Sequence, residues 1–124
     1  MKKIVRLFIC LMFVLCIYNA GVGNVQAQQN YTITSVKASH ILVDTKEQAE
    51  LIKTKINSGD SFEQMAKKFS KCPSRQDGGD LGYFERGQMV KSFEAAAFSL
   101  PTGQVSDPVK TQFGWHLIKV YDKK

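Results

Sequence analysis

Near its end the chain reads Gly114-Trp115-His116-Leu117-Ile118-Lys119-Val120-Tyr121. Side chains of a β-strand point alternately to the two faces of a sheet. This run therefore places His116 on the same face as Ile118 and Val120. The run predicts a strand that carries a histidine on an otherwise apolar face.

The second histidine lies in a similar run, close to the start of the expected domain. There the chain reads Lys37-Ala38-Ser39-His40-Ile41-Leu42-Val43, and alternation puts His40 on the face of Ala38 and Leu42. The sequence contains only these two histidines, and they can meet if both strands belong to one sheet. Two interpretations stay open at this point: core histidines with satisfied hydrogen bonds, or the polar floor of a site.

The first 27 residues have the features of a secretory signal peptide. Basic residues at positions 2, 3 and 6 precede an uncharged apolar run of 12 residues, 7–18. Such a run fits the apolar region of a signal, whereas a helix that crosses a bilayer needs about 20 residues. Small side chains favour cleavage after Ala27. We expect export to the periplasm or the extracellular space and no stable membrane insertion after cleavage; an uncleaved anchor is the alternative.

The composition of the remaining chain excludes some classes of function. Without the three basic residues of the signal, 97 residues carry 14 Lys or Arg against 11 Asp or Glu, and the formal net charge falls from +6 to +3. The charges are mixed along every segment, so we expect no nucleic-acid partner. Only Cys72 remains of three cysteines, so no intramolecular disulfide can form and packing alone must hold the domain. We expect a monomer.

Hydrophobic periodicity and turn residues divide the mature chain into strands and helices. Residues 28–35 are expected to be a flexible lead, and 36–124 a single domain. Thr45 and Gln48 have the spacing of a capping box, which predicts a helix of about 12 residues. The first half of the predicted order is strand 36–43, that helix, a second helix from Asp60-Ser61 to near Ser70, and one helical turn after Pro73. The second half is strand 81–84, a short helix capped by Ser92, strand 105–109 and strand 115–121. Pro108 restricts strand 105–109 to an edge of the sheet or places the proline at a strand end.

This order predicts the fold class. Strands grouped with helices, and a closing hairpin, favour an α+β domain with a mainly antiparallel sheet covered by helices. Gly82 within a predicted strand indicates a β-bulge or a close approach of backbone.

Three segments occur together in a distinctive order. They read Ser-His-Ile-Leu-Val at 39–43, Gly-Gly-Asp-Leu-Gly-Tyr-Phe at 78–84 with Arg-Gly-Gln-Met-Val at 86–90 and Phe93, and Phe-Gly-Trp-His-Leu-Ile at 113–118. Together they resemble the parvulin family of peptidyl-prolyl cis-trans isomerases. The resemblance implies the parvulin-like (FKBP-like) fold, a four-stranded antiparallel sheet surrounded by about four helices.

The resemblance also assigns candidate site residues. It implies that the catalytic positions are His40, Cys72, Thr111 and His116, and that the pocket for the proline ring is formed by Leu81, Met89, Phe93 and Phe113. From the residues alone, Met89 and Phe93 can equally be plain core, and Phe113 an exposed aromatic in a turn. Glycines 78, 79 and 82 are expected to shape the backbone.

Rotation about a peptide bond breaks no covalent bond, so the expected reaction needs no cofactor. For the same reason the histidines are not expected to act as general acid and base, and Cys72 is not expected to be a nucleophile. The histidines and the cysteine lack the short ligand spacing of zinc sites, so no metal is expected.

Substrate class follows from the short connection Asp44-Thr45-Lys46 between the first strand and first helix. Parvulins that favour phosphorylated Ser/Thr-Pro carry a basic loop here, so the resemblance implies a preference for unphosphorylated Xaa-Pro segments of unfolded or extended exported proteins. The alternative is a binding module that holds such chains with little catalysis.

Overall fold

The computed structural model describes residues 32–124. The predicted signal peptide, its cleavage site and residues 28–31 of the flexible lead lie outside the described residues. Within the described part, no helix is long and apolar enough to cross a membrane.

The sheet has four antiparallel strands in the order β2-β1-β4-β3. Strands β1 (Ser35–Val43) and β4 (Gly114–Lys123) form its centre, and β2 (Asp80–Glu85) and β3 (Val109–Thr111) form its edges. The predicted α+β class and the antiparallel sheet are confirmed.

Three α-helices cover the sheet: α1 (Lys46–Asn57), α2 (Phe62–Phe69) and α3 (Lys91–Ser99). A 3-10 helix at Pro73–Asp77 lies where one helical turn was predicted after Pro73. The number of α-helices within residues 32–124, three, is slightly below the expected number of about four. The first two starts are confirmed by their caps, because Thr45 Oγ1 accepts a hydrogen bond from the Gln48 N–H and Ser61 Oγ from the Gln64 N–H.

A separate hydrophobic core lies on each face of the sheet. Because side chains alternate along a strand, Ile118 and Val120 of β4 pack on one face with Phe93 and Phe98 of α3, whereas Leu117 packs on the other. The second core contains Ile41 and Val43 of β1 with the apolar sides of α1 and α2: Ala49, Ile52, Phe62, Met65 and Ala66. The face covered by α3 is also the face of both histidines.

Two local predictions are wrong. Ser92 does not cap α3, because the helix already begins at Lys91 and its N-cap residue is Val90, which makes no side-chain cap bond. The third strand is 109–111 and not 105–109, since Pro108 has no N–H to donate. Before it, Ser106 replaces ladder bonding: its N–H donates to the Ile118 carbonyl at 2.8 Å, and its Oγ accepts from the Ile118 N–H at 3.0 Å.

The expected bulge at Gly82 is confirmed. Lys37 pairs with Tyr83 but Ser39 pairs with Asp80, so β2 contains one residue more than β1 over the same interval. Gly82 has φ +64°, a value that glycine adopts without strain. The bulge turns Leu81 toward the histidine face.

Candidate active site

The two histidines meet on one face of the sheet. His40 pairs with Ile118 and His116 with Leu42, so the two side chains occupy diagonal positions on neighbouring strands. Their Nδ1 atoms lie 3.0 Å apart, and the nearly parallel rings have centroids 5.2 Å apart. The expected meeting across the sheet is confirmed, and both side chains are buried.

Each histidine is also bonded at its outer nitrogen. His40 Nε2 lies 3.1 Å from Ser74 Oγ, and His116 Nε2 lies 2.8 Å from Thr111 Oγ1. Thr111 Oγ1 in turn accepts a hydrogen bond from the Phe113 N–H at 3.2 Å. No imidazole nitrogen of the pair is therefore left without a partner.

These bonds form one chain with a common direction. A nitrogen-to-nitrogen hydrogen bond needs one protonated and one unprotonated partner. If His40 donates from Nδ1, its Nε2 must accept from Ser74 and His116 Nε2 must donate to Thr111. The opposite tautomers reverse the direction of all three hydrogen bonds. The position of the proton on one histidine therefore decides whether the other histidine, Ser74 and Thr111 each donate or accept in this chain.

Burial keeps both histidines uncharged at neutral pH. Loss of hydration lowers the pKa of His116 to about 4, and the pKa of His40 is lowered to about 4 by burial and by repulsion from His116. The two imidazoles are thus joined by a hydrogen bond and carry no net charge.

Backbone contacts hold His40 in place. Its N–H donates to the Gly79 carbonyl at 2.9 Å. A Cβ atom on residue 79 would lie 2.2 Å from the His40 carbonyl oxygen, and φ at Gly79 is +85°. Only glycine permits this close approach. The predicted role of Gly79 in shaping the backbone thus has a specific reason, its contact with the His40 carbonyl.

The loop that carries Cys72 is joined to the end of β1. Ser70 is buried, and its Oγ accepts hydrogen bonds from the N–H groups of Leu42 and Cys72 at 3.1 and 3.3 Å. The Lys71 N–H donates to the Leu42 carbonyl at 2.8 Å. These bonds bring Cys72 to the rim of the histidine face.

An apolar cavity of about 530 Å³ opens above the histidines. Seven of the eight predicted site residues line it: His40, Cys72, Leu81, Met89, Phe93, Phe113 and His116. Thr111 does not line the cavity and acts on it only through its bond to His116.

Phe93 and Phe113 each fit both interpretations given above, the structural one and that of a cavity-lining residue. Phe93 is a core residue, 3% exposed, and it also lines the cavity. Its ring makes edge contacts with both imidazoles, at centroid distances of 5.7 Å to His40 and 5.3 Å to His116. Phe113 is 63% exposed in its turn, yet it borders the same cavity.

Several residues of the site were missed by the sequence analysis. The cavity is also lined by Leu42, Lys71, Pro73, Gln88 and Val90. Leu42 carries a usable signal, since strand alternation places it on the face of His40. Ser74 lies in the helical turn predicted after Pro73, and nothing in its neighbours indicates that it reaches His40.

The side chains around Cys72 and the two histidines can be compared with those of metal sites and of cysteine nucleophiles. Within residues 32–124, no group of three or more His, Cys, Asp or Glu side chains is placed so that it could hold a metal ion. Cys72 is half-buried, and no hydrogen bond joins its Sγ to a histidine in this part of the chain.

Comparison with known protein families gives a finding that is independent of the paired histidines and the cavity above them. A family model described as PPIC-type PPIase domain matches residues 24–124. The chain belongs to this family, the parvulins.

Individual relatives agree with the family. The chain is 56% identical over 90 residues to the foldase protein PrsA of Geobacillus sp. (strain WCH70), a match that covers 72% of this chain and 33% of that protein. The crystal structure of the peptidylprolyl isomerase PrsA from Bacillus anthracis is 46% identical, with a TM-score of 0.73 over 77% of this chain and 45% of that one. The solution structure of NmPin, the parvulin of Nitrosopumilus maritimus, is 46% identical, with a TM-score of 0.67 over 72% of this chain and 97% of that one.

The present chain spans about a third of the length of the PrsA proteins that it matches. The match to NmPin extends over nearly the whole of that smaller parvulin. The similarity is thus to a parvulin domain, which in the PrsA relatives is one part of a longer protein.

Proposed function

We propose that this chain is a peptidyl-prolyl cis-trans isomerase that assists protein folding. The observation that carries the proposal is the combination of an apolar cavity of about 530 Å³ with an uncharged, hydrogen-bonded histidine pair at its floor. Membership of the parvulin family and relatives named foldase and peptidylprolyl isomerase support it.

The reaction requires a twisted amide to be held better than either planar form. The barrier of ~18–20 kcal/mol arises from amide resonance, and a hydrogen bond from water to the carbonyl oxygen favours that resonance. Leu81, Met89, Phe93 and Phe113 would grip the proline ring and remove water from the amide. Desolvation of this kind lowers the barrier without any covalent step.

The histidine floor supplies orientation and polarity. Uncharged His40 and His116, whose ring nitrogens are all bonded within the network, form a polar floor below the amide without the desolvation cost of a buried charge. Thr111 and Ser74 hold the two rings from their outer nitrogens. No proton has to be transferred, so the pair acts by positioning and electrostatics, and Cys72 adds a polarisable wall.

The substrates we propose are unphosphorylated Xaa-Pro segments of unfolded or extended exported proteins. The linker between β1 and α1 is only Asp44-Thr45. The Asp44 carboxylate pairs with Lys71, the cation that lines the cavity, so the linker neutralises the positive charge that a phosphate clamp would need. Uncatalysed isomerisation takes tens to hundreds of seconds, which is slow enough to limit folding.

The proposal includes export through the N-terminal signal, to the periplasm or the extracellular space. It includes a monomeric state without stable membrane insertion once the signal is removed. The pattern of basic residues followed by 12 apolar residues supports export.

An isomerisation assay on the purified protein tests the proposal. Tetrapeptides that vary in the residue before proline should isomerise faster with the protein present, and phosphoserine should give no advantage over glutamate at that position. Binding across the series without any rate enhancement would refute the enzyme and leave a peptide-binding module.

A further inference from the structure

A second, smaller groove lies across the end of β1 from the cavity above the histidines (the proline cavity), on the face of the sheet that α1 and α2 cover. It has a volume of about 230 Å³ and is bordered by the end of β1, by α1 and by the end of α2. Its lining includes two exposed apolar side chains, Leu51 and Phe69, which are 60% and 42% exposed. Two large apolar side chains that share one concave surface are more informative than scattered exposed ones.

The groove and the proline cavity share a wall. Lys71 lines both, and the consecutive residues Leu42 and Val43 line the cavity and the groove respectively. The Lys71 N–H is bonded to the Leu42 carbonyl, so the wall is part of the hydrogen-bonded backbone. Leu42 and Val43 point to opposite faces of the sheet, so a client chain reaches the groove from the cavity by passing over the segment at Lys71, advancing ~3.3–3.6 Å per extended residue.

We infer that the groove binds an apolar side chain of the same client polypeptide whose proline occupies the cavity. The inference rests on the proposed function and adds a second subsite to it. Lys71 lines both the groove and the proline cavity, and this shared border favours a client chain that occupies both over an unrelated partner in the groove alone. An unfolded client exposes apolar residues near its prolines, so one chain can fill both depressions.

The charges at the groove refine the preferred segment. The Lys55 ammonium lies 5.5 Å from the centroid of the Phe69 ring, and Lys55 borders the groove. A segment with neutral or acidic residues beside the apolar side chain should therefore bind better than one flanked by lysine.

Matched peptides and variants test the inference. A tetrapeptide fills only the proline cavity; longer peptides carry the same Xaa-Pro core with either leucine or serine at three to six residues from the proline, on each side in turn. The variants are Leu51→Ser and Phe69→Ser, singly and together. Tyr83→Ser is the control, because Tyr83 is a similarly exposed aromatic, 44%, that lines neither cavity nor groove.

We expect kcat/KM for the best leucine peptide to exceed that for its serine counterpart by about tenfold, a size typical of burying one leucine side chain. The double variant should lose this advantage through KM and keep full activity on the tetrapeptide, and Tyr83→Ser should keep both.

Three results would overturn the inference while the proposed function stands. The first is equal kcat/KM for leucine and serine peptides at every spacing. The second is an equal loss of tetrapeptide activity in the double variant, which would mean that the two residues support the cavity itself. The third is a change from dimer to monomer in the double variant, which would make a second copy of the chain the occupant. Failure of the unchanged protein to accelerate the tetrapeptide would refute the proposed function itself, and the inference with it.

Discussion

Acidification from pH 7 to pH 5 should destabilise this protein through its two histidines. Their pKa values are lowered to about 4 in the folded state, against an ordinary value of 6.5. The unfolded chain therefore binds more protons than the folded chain between these values. Stability is fully present above pH 6.5 and is lost as the pH falls toward 4.

The size of the effect follows from the two pKa values. For one histidine with a pKa of 6.5 unfolded and about 4 folded, the free energy of unfolding falls by about 2 kcal/mol between pH 7 and pH 5. The two histidines together should lose about 4 kcal/mol, a large fraction of the ~5–15 kcal/mol that stabilises a typical domain. Carboxyl groups contribute little in this window, since the lowered pKa values of Glu63, Asp107 and Asp122 start from 4.5 or 3.8.

Urea unfolding at pH 7, 6 and 5 measures the loss. The control is the double variant His40→Asn with His116→Asn, which contains no histidine and should change by less than about 1 kcal/mol over the same range. A flat profile for the unchanged protein, or an equal loss in the double variant, would refute burial of an uncharged pair.

Three further predictions concern single side chains. Cys72→Asp should retain measurable isomerase activity, because twisting an amide needs no nucleophile; complete loss in a folded variant, with a covalent adduct trapped on the native protein, would contradict this. Gly79→Ala should lower the free energy of unfolding by about 2 kcal/mol more than Gly103→Ala, since both have φ near +85° but only residue 79 meets the His40 carbonyl; equal losses would show that the contact does not matter. Phe113→Ala should lower kcat/KM about tenfold with less than about 0.5 kcal/mol change in urea stability, because the ring is 63% exposed; unchanged kinetics would return Phe113 to the role of a turn residue.

Much of the fold can be predicted from local pattern. Alternation located the two central strands, and Thr45 and Ser61 marked helix starts that the structure confirms, because a side-chain cap acts within three residues of its partner. The prediction that Ser92 caps a helix is wrong. The N-cap residue of α3 is Val90, which has no side-chain oxygen to accept a cap bond and is not a favoured N-cap residue. The third strand was misplaced because the Ser106 side chain and Pro108 interrupt the ladder between Val105, which still forms a bridge with Lys119, and Val109.

The candidate site was predicted in part. The resemblance to the parvulins named seven of the residues that line the cavity, whereas Ser74 and Gln88 carried no signal of their own. Contacts of this kind join segments far apart in the chain, and local composition does not encode them.

By itself the sequence determined which residues face the same side of each strand, where the first two helices begin and which motifs occur in parvulin order, because these depend on neighbours within a few positions. Tertiary structure alone decided that His40 and His116, 76 residues apart, bond at 3.0 Å. It also decided their charge state, because only the burial produced by pairing β1 with β4 and covering that face with α3 removes the water that would let an imidazole ionise.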